Sequence, residues 1–96
     1  MNELELRVKR FADSRWPKRD LAGRVRKLGE EFGELAEAVA RLESVSNGHG
    51  EIFKRRNHVA EEAADCAIIL SDIVGLLGLS LEDVVRLKLA IVEQRP

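Results

Sequence analysis

Apolar residues recur at helical spacing along nearly the whole chain, and the alternating β-branched runs that mark strands are absent. Leu4, Val8 and Phe11 form a short stripe that predicts a first helix from about Glu3 to Ala12. Asn2 and Glu5 stand at capping-box spacing at its start. Pro17 disfavours helix at the residue before it, so Asp13 to Pro17 reads as a break. Leu21, Val25, Leu28, Phe32, Leu35, Val39 and Leu42 then alternate steps of four and three. They predict a long helix from about Lys18 to Leu42 with a heptad-like seam. A second face of this helix carries only Ala22, Gly29, Gly33, Ala36 and Ala40. A helical Gly costs about 1 kcal/mol against Ala, so this face predicts the close approach of another helix.

Ser44 through Gly50 is small, polar and Gly-rich, and reads as a loop. Glu51 to Asn57 reads either as the first turns of a third helix or as a separate turn capped by Asn57. The third helix runs to about Leu77, with Val59, Ala63, Cys66, Leu70, Ile73 and Leu77 in the same rhythm and Gly78 as its stop. Ile68, Ile69, Val74 and Leu76 widen its apolar surface, as in a helix central to a bundle or facing a partner subunit. Ser80 opens a fourth helix, with Asp83 at the reciprocal capping position. The expectation is one all-α domain over residues 1–96, four-helix-bundle-like.

Composition narrows the partners. A chain of 96 residues buries only a modest core, and as an isolated monomer it leaves much apolar surface in water. The net charge of −1 gives no overall field to recruit nucleic acid or an anionic membrane. No apolar run approaches the roughly 18 residues of a membrane span, and the acidic N-terminus is unlike a secretory signal. The single Cys66 excludes an intramolecular disulfide and fits a reducing cytoplasm. A cytoplasmic protein without nucleic-acid or membrane partners is expected.

The candidate chemistry lies in two acidic words, Glu31-Phe32-Gly33-Glu34 and Glu62-Ala63-Ala64-Asp65. Each sets two carboxylates three residues apart on one side of a helix. On helical wheels Glu31 and Glu34 fall on one flank of the second helix's seam. Glu62 and Asp65 fall on the matching flank of the third. Antiparallel packing, seam to seam, brings all four to one groove, with Glu30 and Glu61 pointing further away. Four acids so close repel unless a cation neutralises them. An oxygen-only donor set favours Mg²⁺, with Mn²⁺ as a substitute, over Zn²⁺. The plainer reading leaves both words as solvated helix surface.

Leu28 to Glu37 and Val59 to Asp65 also resemble the paired E-x-x-E and E-x-x-D motifs of the MazG-like all-α nucleoside triphosphate pyrophosphohydrolases, relatives of the dimeric all-α dUTPases. Gly78 to Val84 is similar to that group's turn into its last helix, and Lys88 to Arg95 to its K-x-x-x-N-x-x-R ending. The resemblance implies a helical fold assembling as a homodimer or homotetramer, with Mg²⁺ held by Glu31, Glu34, Glu62 and Asp65. It implies hydrolysis of a (deoxy)nucleoside triphosphate between the α and β phosphates, as in nucleotide-pool housecleaning. Glu34 and Glu31 are the expected catalytic acids. The group's Asn is Val92 here, and an aromatic that some relatives carry is Ile69. Two other readings stand beside this one: a non-catalytic helical interaction module, and a phosphoribosyl-ATP pyrophosphohydrolase-like enzyme.

Trp16, Lys54, Lys88 and Arg95 are the candidate substrate contacts. Trp16 stacks on a base or covers a helix end. Lys54-Arg55-Arg56 reaches a triphosphate or is a solvated run. Lys88 contacts phosphate or snorkels. Phe11 and Phe53 are expected in the core, and Lys27 paired with Glu31. Asp72 is expected as an outer-sphere acid or a surface charge. His49 and His58, without acidic or Cys partners at zinc spacing, are read as non-ligands.

Overall fold

Four helices make up the chain: α1 Glu3–Arg15, α2 Leu21–Glu43, α3 His49–Leu76 and α4 Leu81–Val92. They are seen in a computed structural model that describes residues 1–45 and 48–96. Ser46 and Asn47 of the expected loop lie outside the described residues. The all-α expectation holds, with no strand among the described residues. None of these helices is by itself long and apolar enough to cross a membrane.

Capping sets the ends. Asn2 Oδ1 accepts from Glu5 N at 2.8 Å and Glu5 Oε2 accepts from Asn2 N at 2.9 Å, so the capping box forms. α1 runs on to Arg15, past the expected break, because Pro17 constrains only Trp16, whose N–H still reaches Ala12 O at 2.8 Å. α2 begins at Leu21 rather than Lys18 because Asp20 is its cap, accepting from Gly23 N at 2.8 Å. α3 is continuous, so Glu51 to Asn57 are its early turns. It ends in a Schellman motif: Gly78 takes φ +76°, its N–H meets Gly75 O at 2.9 Å, and Leu79 N meets Val74 O at 3.2 Å.

α2 and α3 pack along their length as a hairpin, α1 lies on α3, and α4 leaves α3 at 96° with little contact. The inward row of α2 is Arg24, Leu28, Glu31, Leu35, Ala38 and Leu42. The seam expected from sequence is therefore rotated. Leu28, Leu35 and Leu42 keep their places, whereas Leu21, Val25 and Phe32 are exposed, Phe32 at 64%. The Ala/Gly face is also exposed, and a Cβ at Gly29 or Gly33 meets nothing within 4 Å, so no helix of this chain approaches it. On α3 the inward side carries Val59, Glu62, Cys66, Ile69 and Ile73, while Ala63, Leu70 and Leu77 face out. Phe11 and Phe53, expected in the core, are exposed.

A buried ion cluster accounts for the rotation. Asp72 of α3 is only 3% exposed. It accepts from Arg24 Nε at 2.9 Å and from Arg19 Nε at 2.9 and 3.0 Å. Arg19 also pairs with Asp13 at 2.8 Å. Asp72 is thus neither an outer-sphere acid nor a surface charge. It draws the row containing Arg24 and Glu31 against α3 and ties in the end of α1. Trp16 covers this cluster, with the Arg24 guanidinium 4.7 Å from its ring centre and Phe11 edge-on at 5.4 Å.

Glu5 joins the two outer helices. Its carboxylate accepts from Asn2 N, from Ser80 Oγ at 3.0 Å and from Glu82 N at 3.1 Å, bonding α1 to the N-terminus of α4. These donors, Asn2 N–H foremost, hold its carboxyl below the usual carboxylate range. Ser80 Oγ caps α4 by accepting from Asp83 N at 3.4 Å, and its own proton goes to Glu5 rather than into a reciprocal box with Asp83.

The chain exposes 7176 Å² and has a radius of gyration of 16.1 Å. A compact monomer of this mass exposes about 5,500 Å², and one of this length has a radius of gyration of about 12–13 Å. Exposed apolar side chains line the outer face of α2 and most of α4, where Leu87 is 70% exposed.

Replacing Asp72 with Ala leaves two guanidiniums without their buried counter-charge. The expected loss is about 3 kcal/mol of unfolding free energy, read from urea denaturation, with the far-UV helix signal retained in the folded baseline.

Candidate metal centre

Glu31 sits in the inward row of α2 between Leu28 and Leu35, and Glu62 in that of α3 between Val59 and Cys66. Asp65 stands one turn beyond Glu62. Ligand oxygens of Glu31, Glu62 and Asp65 lie within 4.8 Å of one another. Three of the four acids read from the acidic words converge, without Glu34; Glu31 and Glu62 turn toward the helix contact and Asp65 is exposed at its edge. Glu30 and Glu61 do point away, their side chains 69% and 76% exposed.

One buried oxygen of each glutamate, Glu31 Oε2 and Glu62 Oε2, has no hydrogen-bond partner. The other oxygens face outer groups: Glu31 Oε1 lies 3.3 Å from Lys27 Nζ, and Glu62 Oε1 lies 3.7 Å from His58 Nε2. The expected Lys27–Glu31 pair is therefore present. Buried carboxylate oxygens without donors are costly, and three acids in contact compound the cost.

Glu34 is exposed at the rim. Its carboxyl is raised above the usual range, chiefly because it shares a hydrogen with Glu31. The negative charge of Glu31, desolvation and then Glu62 add to this. Burial pushes the Cys66 thiol up, and the charges of Glu31, Asp65, Glu62 and Glu34 push it further. Cys66 is thus a neutral neighbour of the acids. Its place four residues after Glu62 was the available signal.

The other candidates are spread out. Trp16 packs on Arg24 and Phe11. Lys54 is exposed about 12 Å before Glu62 along α3, counted at 1.5 Å per residue. Arg55, in the same basic run, pairs with Glu51 at 2.8 Å. Lys88 on α4 and Arg95 beyond it are exposed. Lys54, Lys88 and Arg95 form no ion pair among the described residues and none reaches the acids. His58, expected to lack acidic neighbours, lies between Glu61 and Glu62. The His49 side chain lies outside the described residues.

The donor chemistry suits a hard divalent cation. Oxygen donors dominate, two of them buried and unpartnered, and their negative charge exceeds what Lys27 offsets. Residues 1–88 match the phosphoribosyl-ATP pyrophosphohydrolase family, and the chain belongs to it. That family lies within the MazG-like all-α superfamily, and the chain is accordingly a pyrophosphohydrolase, a hydrolase of phosphoanhydride bonds. No curated protein and no solved structure matches the chain.

The crowded acids make stability dependent on metal and pH. Glu34 has a raised folded pKa, so the folded chain binds its proton more tightly than the unfolded one. Without metal, the contribution of Glu34 to stability is therefore fully present below the ordinary glutamate value and is lost as pH rises through the raised one, opposite in sign to that of Glu5. At neutral pH, Mg²⁺ or Mn²⁺ at about 100 times its dissociation constant should add roughly 2.7 kcal/mol, seen as a rise in melting temperature. Glu31→Gln should raise the metal-free melting temperature and abolish the metal-dependent rise.

Proposed function

We propose that this chain is a Mg²⁺-dependent pyrophosphohydrolase that cleaves the α–β phosphoanhydride bond of a substrate bearing a 5′-triphosphate. The observation that carries this is the convergence of Glu31, Glu62 and Asp65, with buried, unpartnered oxygens on both glutamates. Two substrates share the required moiety. The family match supports phosphoribosyl-ATP, and the acidic words support a nucleoside triphosphate of the housecleaning kind equally.

In this reading Glu31, Glu62, Asp65 and Glu34 hold the ion. Mg²⁺ held there would supply charge neutralisation and Lewis-acid polarisation for the triphosphate. Glu34, open to solvent at the rim, accepts the proton of the attacking water. The water oxygen bonds to the α-phosphorus as the bond to the bridging oxygen breaks, and pyrophosphate leaves. Glu31 acts with Glu34 by orienting it. Trp16, Lys54, Lys88 and Arg95 remain the candidate substrate contacts, in an assembly that brings them closer.

Self-association is part of this proposal. The surface excess of about 1,600 Å² per chain lies in the range of obligate dimers. The outer face of α2, with Phe32, Val25 and Leu21 beside Gly29, Gly33 and Ala36, has the small-and-large relief that another helix packs against.

A panel of phosphoribosyl-ATP and ribo-, deoxy- and modified triphosphates should give pyrophosphate release from at least one with Mg²⁺. Glu34→Gln should lower kcat roughly 100-fold or more at unchanged fold. Asp65→Asn should act chiefly through metal affinity. Silence across the panel together with no metal-linked stabilisation would instead favour a non-catalytic interaction module. Sedimentation should find a dimer or tetramer that Phe32→Glu dissociates.

A further inference from the structure

A groove of about 610 Å³ runs between α1, α3 and α4. Leu4 and Val8 of α1 form one wall, and Leu81 and Val85 of α4 the other. Its floor is Ala64, Ala67, Ile68 and Ser71 of α3. At 3.6 residues per turn this floor falls on the opposite side of α3 from Val59, Glu62 and Cys66, which face α2. The polar groups at the groove are satisfied within the chain: Ser80 donates to Glu5 at 3.0 Å, and Arg86 donates to Glu82 at 3.1 Å. The groove therefore suits an apolar occupant.

Every copy of the chain carries one. On α4 the wall residues Leu81 and Val85 share a stripe with Leu89 and Val92, at steps of four, four and three. Leu89 and Val92 are 51% and 42% exposed, because α4 leaves α3 at 96° and carries the outer half of the stripe away from it. A stripe whose inner half walls a groove and whose outer half is bare complements itself. Laid antiparallel about a two-fold axis, Leu89 and Val92 of one copy meet Val85 and Leu81 of the other. The incoming helix then crosses α3 at the same near-right angle as the resident α4. With its side chains it is about 10–12 Å wide, and the floor from Ala64 to Ser71 measures about 10 Å along α3, counted at 1.5 Å per residue.

We propose that this groove is a second interface between copies of the chain, filled by α4 of another copy lying antiparallel to its own. Together with the α2 contact proposed above it builds a tetramer. The two contacts lie on opposite sides of α3, so each leaves the other free to form. The area agrees. A standard interface covers about 800 Å² per partner, and the excess exposure of about 1,600 Å² per chain is enough for two. The inference adds to the α2 contact, and the test separates them.

Sedimentation equilibrium on the full chain should give a tetramer for wild type. Leu89→Glu and Phe32→Glu should each give a dimer with the far-UV helix signal retained, and the two combined a monomer. Val92→Glu, at the end of the same stripe, should repeat the effect of Leu89→Glu. Leu87→Glu, on the other side of α4 and 70% exposed, should leave the tetramer intact. A wild-type mass that neither Leu89→Glu nor Val92→Glu changes overturns the α4 interface and leaves the α2 contact standing. A monomeric wild type overturns both.

Discussion

The buried contact of Asp72 with Arg24 and Arg19 sets the rotation of α2 against α3, and most else follows from that rotation. Arg24 is separated from Glu31 by two helical turns, so pulling one inward pulls the other inward. Were Leu21, Val25 and Phe32 to face α3 instead, Glu31 would move toward the edge. The centre would lose its only α2 carboxylate within 4.8 Å of Glu62 and Asp65. A buried ion pair is not in itself a strong source of stability, since desolvation offsets much of its attraction. Its contribution here is geometric: it selects one of two apolar-lined faces of α2 for the hairpin.

The consequence is a site held together against its own charge. Packing of Leu28, Leu35, Cys66 and Ile69 holds carboxylates near one another that would separate in water. The strain shows in the raised basicity of Glu34 and in the unpartnered oxygens of Glu31 and Glu62. Lys27 and His58 each face one oxygen of a buried glutamate, leaving the second oxygen for another partner. A cation in that position answers the charge and the missing hydrogen bonds together.

Much of this was legible in the sequence. Helical period, capping residues and Gly78 located the elements, and the acidic words contain the three acids that converge, with Glu34 left outside that group. The rotation was not legible, because apolar periodicity marks faces that prefer to leave water without saying which neighbour covers them. α2 has two such faces, and the choice between them depends on Asp72, 48 residues beyond Arg24. The same blindness placed Phe11 and Phe53 in a core they do not enter. His58 lies beside Glu61 and Glu62, which its spacing from other His and Cys did not indicate, and it stays outside the group of converging acids.

The two faces of α2 also connect the site to assembly. The face turned to α3 holds Glu31, and the other carries Phe32 and the glycines, in places the sequence marks for close helix approach. Phe32 adjoins Glu31 in the chain, so a subunit covering Phe32 also approaches the rim where Glu34 stands. Excluding water there lowers the local dielectric and strengthens the pull of a cation on the carboxylates. In the proposed assembly, Lys54, Lys88 and Arg95, which form no ion pair with the acids within one chain, would have a route to the substrate from the other subunit. If the proposed assembly holds, the exposed apolar surface and the dispersed cations are two aspects of one site shared between subunits.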